Sequence, residues 1–222
     1  MDDRQIQIIM DSFWPLLKAG VVLTIPLTLI TFALGLILAV LTALIRLSSW
    51  TIPKFIARFY VWVIRGTPLL VQLFIIYYGL PSVGITLSPY LSAVIGLSLS
   101  VGAYGSEIVR AAILSIQKGQ WEAAYSLGMS RMQALRRIIL PQAARVSIPP
   151  LGNSFISLIK DTSLVASITF VEMFRTAQEY VALTYEPLLL YCEVAVIYLA
   201  FSSVLSLLQN YVEKRLERFS AS

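Results

Sequence analysis

The stretch whose reading decides the fold is Glu122–Ala143, "EAAYSLGMSRMQALRRIILPQA". It is polar and strongly basic, and its apolar residues recur at helical spacing. The runs that flank it are apolar enough for lipid. From Ala19 to Ile45 there is no charged residue, and roughly 20 apolar residues in a helix cover the ~30 Å of hydrocarbon in a bilayer. The segment is therefore an amphipathic insertion between membrane helices. The fold class this predicts is an all-α integral membrane protein.

Composition supports that class and removes others. Of 222 residues, 58% are hydrophobic and 13% charged, and the mean hydropathy is +0.79, far from a soluble domain. There is no His and one Cys, Cys192. Zinc clusters of the usual His/Cys kind, Ser-His and Cys-His nucleophile pairs and intrachain disulfides are thereby excluded. No catalytic residue and no metal ligand is expected. Cys192 reads as a small apolar packing residue. The opening "MDDRQIQIIMDSFWPLLKAG" is acidic and lacks the short apolar core and small-residue cleavage pattern of a secretory signal, so no cleavage is expected. With no linker, low-complexity tract or fixed-period repeat, residues 1–222 read as a single membrane domain.

Five spans are expected. The first runs from Ala19 to Ile45. The second covers Phe59 to Leu80, interrupted only by Arg65, and "LPSVG" ends it with turn formers. The third goes from Leu87 to about Ser115 and carries Glu107 and Arg110. The fourth is irregular: Val146 to Ile159 is too short to span alone, and "KDTSL" (Lys160–Leu164) precedes a further apolar stretch to Val171. It reads either as a broken span, with Lys160 and Asp161 paired or lining a wet cavity, or as a helix end with its charges in interfacial water. The fifth covers Leu188 to Tyr211, interrupted by Glu193.

Five spans place the termini on opposite sides, and the positive residues orient them. One side receives Arg46, Lys54, Arg58, Lys118, Arg131, Arg136, Arg137, Arg145, Lys214, Arg215 and Arg218. The other has only Arg4, Lys18 and Arg175, against Asp2, Asp3, Asp11, Glu172, Glu179 and Glu186. The asymmetry puts the N-terminus outside, the C-terminus inside and the loop at 116–145 in the cytoplasm. The net charge of +5 thus marks membrane sidedness, and nucleic acid is not an expected partner.

Within the loop, Trp121, Ala124, Tyr125 and Gly128 fall on one helical face, and Gly128 suits the left-handed end of a first short helix. "SRMQ" (Ser130–Gln133) matches a capping box that starts a second. Met132, Leu135 and Ile139 form its apolar stripe, and Pro141 is expected to close it. Such a helix pair suits either a groove in a partner protein or the surface of anionic lipid. Spacing alone leaves both open.

The pattern E-A-A, three residues, G, then a basic helix ending in L-P resembles the EAA loop of permease subunits of binding-protein-dependent ABC importers. Here it is carried by Glu122, Ala123, Ala124, Gly128, Leu140 and Pro141. "RGTPLLVQLFIIYYGLP" (Arg65–Pro81), "GAYGSEIVRAAILSIQKGQWEAA" (Gly102–Ala124) and "NSFISLIKDTSLVASI" (Asn153–Ile168) resemble the polar amino-acid branch of that family, and L-cystine permeases most. The resemblance covers roughly Gly20 to Tyr211.

That resemblance implies the MetI-like fold of type I ABC importers in a bacterial inner membrane. It implies an ATP-driven importer of a polar amino acid working by alternating access, with a second permease subunit, identical or homologous. It also implies two ATPase subunits carrying ATP and Mg, and an extracytoplasmic solute-binding protein. Glu122, Ala123, Ala124 and Gly128 would form the coupling contact, with Arg131 available to acidic groups of the ATPase. The chain has no "GxxxxGK[ST]" sequence and so no nucleotide site of that type.

A zwitterionic solute needs polar groups along its path. The candidates for pathway or gate are Asn153, Lys160, Asp161, Thr162 and Ser163, because broken helices at membrane depth expose backbone and side chains to a solute. Arg65, Glu107 and Arg110 are either pathway charges or structural ones. Glu107 and Arg110, one helical turn apart, are placed to neutralise each other, and Arg65 to snorkel or brace an interface. Tyr77 and Tyr78 read as an outer aromatic belt. The rival classes are an ion-coupled secondary transporter or channel, for which paired halves are not visible, and a membrane-embedded enzyme, which lacks its constellation.

Overall fold

The computed structural model describes the backbone of residues 2–218 and the side chains of residues 2–215, so the Arg218 side chain counted in the charge asymmetry lies outside the described residues. Among them the fold is entirely helical. Ten α-helices occur in chain order: α1 Asp3–Ala19, α2 Ile25–Leu47, α3 Thr51–Gly66, α4 Leu69–Phe74, α5 Pro89–Ser115, α6 Lys118–Ser126, α7 Arg131–Ala134, α8 Leu140–Asp161, α9 Met173–Thr184 and α10 Pro187–Arg218. Three helical stretches, Asp3–Leu47, α5 and Pro187–Arg215, are long and apolar enough to cross a membrane alone. Two bent pairs bring the number to five.

The first stretch is longer than the sequence predicts. α1, a π-helical turn at Gly20–Thr24 and α2 form one helix of 45 residues, about 67 Å at 1.5 Å per residue, more than twice the hydrocarbon thickness. The surplus is α1, which packs Leu16 and Ala19 against Met173, Ala177, Val194 and Ile197. Ser12 Oγ donates to Glu193 Oε2 at 2.6 Å, and Tyr180 Oη donates to the carbonyl of Asp11 at 3.3 Å. Glu193, which interrupts the fifth span in sequence, is there held by the N-terminal helix.

Two of the predicted spans break elsewhere than expected. The second is no straight helix from Phe59 to Leu80: α3 and the helical stretch Leu69–Val83 meet at 107°. The corner is Gly66–Thr67–Pro68, with Thr67 and Pro68 in extended backbone, as a residue before proline prefers. Gln72 ties the corner by donating from Nε2 to the carbonyls of Ile64 (2.8 Å) and Thr67 (3.0 Å). In the fourth span α8 continues through Lys160 and Asp161, tightens to a 3₁₀-helix at Thr162–Ile168, and turns by 51° only before α9. Thr169, at φ 65°, makes that turn.

Proline explains another departure. The three π-helical turns, Gly20–Thr24, Ile75–Gly79 and Leu135–Ile139, each end two residues before a proline: Pro26, Pro81 and Pro141. Proline has no N–H to donate, and its ring crowds the carbonyl four residues back. Widening the preceding turn removes the crowding. In each case the residue before the proline donates to the carbonyl five back, namely Ile25 to Gly20, Leu80 to Ile75 and Leu140 to Leu135. Pro141 therefore does not close the second loop helix. α7, its π turn and α8 run on as one helix that extends to Ile168.

The centre of the bundle is α2 against α5. Small residues on both let the backbones approach: Gly35 lies against Val101, Gly102 against Leu38, Gly105 against Ala39, and Ala43 packs in one cluster with Ala112. Membrane helices gain by such contact because lipid supplies no hydrophobic drive between them. A Cβ on Gly35 would lie 2.5 Å from Val101 Cβ and 3.1 Å from the carbonyl of Ser98. We expect Gly35→Val to destabilise the folded chain by about 2 kcal/mol through overpacking, read as a lowered melting temperature in detergent. An unchanged melting temperature would mean that this contact does not set the helix spacing.

Candidate functional site

The loop is built as its sequence predicts at both caps. α6 ends in a Schellman motif: the Met129 amide donates to the carbonyl of Ala124 at 3.1 Å and the Gly128 amide to that of Tyr125 at 2.9 Å, with Gly128 left-handed at φ 76°. Ser130 Oγ accepts from the Gln133 amide at 3.3 Å and Gln133 Oε1 accepts from the Ser130 amide at 2.8 Å, a complete capping box. Glu122, Ala123 and Gly128 are exposed, whereas Ala124 is buried and serves the packing of the loop. Leu127, 77% exposed beside Gly128, is a feature of the tip that periodicity missed. Ala134 and Ile139 are the buried residues of the second loop helix, while Met132, predicted in its apolar stripe, is exposed. Arg131 turns back toward the end of α2, Nη2 donating to the carbonyl of Leu47 at 3.5 Å.

The charges of the middle spans meet around one carboxylate. Glu107 accepts from Arg46 Nη2 at 2.8 Å and from Arg110 Nε and Nη2 at 3.1 and 2.9 Å, and Arg65 Nη1 lies 3.3 Å from it. Arg65 also stacks over the Tyr104 ring, 5.4 Å from its centre. The Glu107–Arg110 pair is as predicted. Arg65 braces the cluster, and Arg46, read only as a sidedness marker, is its least exposed arginine. No local pattern could have announced that pairing, because 61 residues separate Arg46 from Glu107.

The predicted pathway residues do not form one cluster. Thr162 is buried, its hydroxyl donating to the carbonyl of Ile159 at 2.7 Å. Ser163 and Lys160 line a groove of about 450 Å³ between α8 and α10, with Tyr191, Tyr198 and Ser202 opposite. Asn153 sits about two turns below, where its Oδ1 accepts from Gln209 Nε2 at 3.2 Å. Among the described residues no ion pair joins Lys160 to Asp161, since neighbours on a helix point about 100° apart. Asn153, Ser157, Lys160 and Asp161 are instead all exposed, and at i, i+4, i+7 and i+8 they form one polar face of α8.

Glu172, assigned from sequence to outer water, is fully buried. It caps α9, Oε1 accepting from the Arg175 amide at 2.8 Å, while Oε2 accepts from Tyr198 Oη at 2.9 Å. Tyr77 and Tyr78, read as belt residues, also bond within the chain, to Thr169 Oγ1 at 3.2 Å and to the carbonyl of Ser167 at 3.1 Å.

Comparison with known proteins places this geometry. Residues 33–218 match the model of the family described as binding-protein-dependent transport system inner membrane component. The chain belongs to that family. This permease is 54% identical over 215 residues to the L-cystine transport system permease protein TcyB of Bacillus subtilis (strain 168), covering 96% of this chain and 92% of TcyB. It is 39% identical to the glutamine transport system permease protein GlnP of Escherichia coli (strain K12), covering 91% and 94%. Among solved structures it superposes with TM-score 0.88 on an amino acid ABC transporter crystallised with histidines, at 37% identity over 93% of this chain and 96% of that one. The inward-facing MetNI methionine ABC transporter shares the fold, with TM-score 0.70 at 18% identity over 97% and 99%. The chain is accordingly a MetI-like amino-acid ABC permease and an integral membrane protein. It is a transport subunit with no ATPase site or cofactor of its own, and it works with ATPase subunits and a binding protein.

Removing the shared carboxylate tests the charge cluster. Glu107→Gln leaves three guanidinium groups facing one another, and we expect a loss of about 3 kcal/mol. Arg110→Gln, which leaves two cations on the carboxylate, should cost about 1 kcal/mol or less. Thermal unfolding in detergent reads both. Equal losses would mean that the cluster is a set of independent surface pairs.

Proposed function

We propose that this permease is the membrane subunit of an ATP-driven importer that takes up a polar amino acid, L-cystine first among them, by alternating access. The observation that carries the reading is the polar face of α8 on a helix continuous with the loop. A lysine or aspartate facing hydrocarbon costs about 2.5–3.5 kcal/mol, so Asn153, Ser157, Lys160 and Asp161 belong against a second permease subunit, identical or homologous, with a hydrated path between. Thr162 supports the gate from within, and Ser163 reaches the groove toward α10. The 54% identity to a cystine permease supports the choice of solute.

In this scheme the chain sits in a bacterial inner membrane, N-terminus outside and C-terminus inside, with residues 116–145 in the cytoplasm. Two ATPase subunits carry ATP and Mg, and an extracytoplasmic binding protein delivers the solute. Glu122, Ala123, Gly128 and Leu127 form the ATPase contact, with Ala124 fixing the packing beneath. When nucleotide draws the ATPases together, the loop moves with α7 and carries α8 and its polar face between inward-facing and outward-facing states.

The test is uptake of a labelled amino-acid panel including cystine by vesicles holding this chain, its ATPase and its binding protein. We expect uptake only with ATP and binding protein, and greatest for cystine. Uptake indifferent to ATP would overturn the mechanism, and a different preferred solute would overturn the assignment. Gly128→Asp tests coupling in the same vesicles. A Cβ on Gly128 meets nothing within 4 Å in this chain, and Asp tolerates a left-handed backbone better than most residues. Beside the strain that a non-glycine residue carries at φ 76°, any steric clash must come from a partner. We expect normal insertion with ATP hydrolysis no longer linked to uptake, and wild-type transport would contradict the contact.

A further inference from the structure

A second cavity, of about 750 Å³, opens where the α2–α3 corner meets the loop. Its walls are the last turns of two spans: Leu44, Ile45 and Leu47 from α2, Ile113 and Leu114 from α5. Leu135 and Leu140 close it from the loop side, and Lys118, Arg131 and Arg136 stand around it. Among the described residues none of these three cations has an ion-pair carboxylate. Trp50, 70% exposed, lies at the mouth, as an indole does at the headgroup level of a membrane. The cleft thus joins an apolar trough at the end of the hydrocarbon zone to a triad of uncompensated positive charge.

The exposed loop residues Glu122, Ala123, Leu127 and Gly128 do not line this cleft. α6 turns Trp121 into it and leaves those others free for a protein partner. An occupant that satisfies both halves needs an apolar body and an anionic head, and it must reach the cleft from the membrane boundary.

We propose that the cleft is a binding site for an anionic glycerophospholipid of the basic-side leaflet. The phosphate lies among Lys118, Arg131 and Arg136, and an acyl chain lies along Ile45, Leu114 and Leu140. The lipid would fill the wedge between the loop and the span ends and brace the loop at its angle to α2. A zwitterionic phospholipid offers the same chains without the net charge and would be held less well.

The experiment uses the assembled transporter, this chain with its ATPase subunits, in phosphatidylcholine vesicles doped with a trace of phosphatidylglycerol bearing a photoreactive acyl chain. A parallel sample carries a phosphatidylcholine probe of the same chain. Peptides spanning 44–50 and 113–140 should be labelled preferentially by the phosphatidylglycerol probe, and Lys118→Gln with Arg136→Gln should reduce that labelling about fivefold per cation removed. Leu114→Trp, which fills the trough and keeps every charge, should reduce it as well. Equal labelling by the two probes, or labelling unchanged in the charge-removed variant, would overturn the proposal. So would a photoreactive residue at Met132 that captures the ATPase subunit instead of lipid, since the cleft would then be a protein contact.

Discussion

Charge at membrane depth has to be covered by something other than lipid, and most of this structure follows from how the chain covers it. Glu107 is surrounded by Arg46, Arg65 and Arg110, drawn from three different helices, which ties the ends of α2 and α3 to α5. Glu172 is enclosed by the start of α9, with Tyr198 of α10 on its outer oxygen. Glu193 takes the hydroxyl of Ser12 and so holds α1 on the bundle. Lys160 and Asp161 are the exceptions, exposed on a face that continues to Ser157 and Asn153. Among the described residues neither has an ion-pair partner, and that is the physical reason to propose a water-lined boundary with another subunit there.

A second constraint links this face to the loop. The stretch Arg131–Ile168 is one helix, kept continuous past Pro141 by a π turn. A helix closed at Pro141 would have hinged the loop on its span. The widened turn lets the same proline sit inside a rod about 57 Å long at 1.5 Å per residue, with the capping box at one end and the polar face beyond its midpoint. Under the proposed scheme, motion imposed on the loop would be carried along this helix, past Pro149 and Pro150, to the polar face. The tight α2–α5 pair gives the rod a fixed body to move against.

What the sequence made legible is what depends on neighbours along the chain. The left-handed end at Gly128 and the reciprocal Ser130–Gln133 cap are local chemistry and stand as read. So do the all-helical class and the i, i+3 pairing of Glu107 with Arg110. What it hid depends on distant partners or on compensation. Arg46 looked like a sidedness marker because its acceptor is 61 residues away. Glu172 looked like a solvated acid because nothing nearby announces Tyr198. Pro141 looked like a stop because a proline normally is one, and nothing in residue type tells a proline that ends a helix from one that a π turn absorbs. The corner at Gly66–Pro68 was written in the sequence as Gly-Thr-Pro but was outweighed by the apolar run around it. Lys160 and Asp161 invited pairing by adjacency, which helical geometry forbids.

The account stands on the rod, and a distance measured along it tests that most directly. Spin labels at Gln133 and Ser157 of one permease subunit, in the assembled transporter, should lie about 36 Å apart along the helix. That spacing should stay unchanged between nucleotide-free and ATP-bound states while the same labels shift relative to α2. A spacing that shortens or broadens when ATP binds would show a joint within the helix, at the π turn Leu135–Ile139 or at Pro149–Pro150, and coupling through a rigid helix would be wrong.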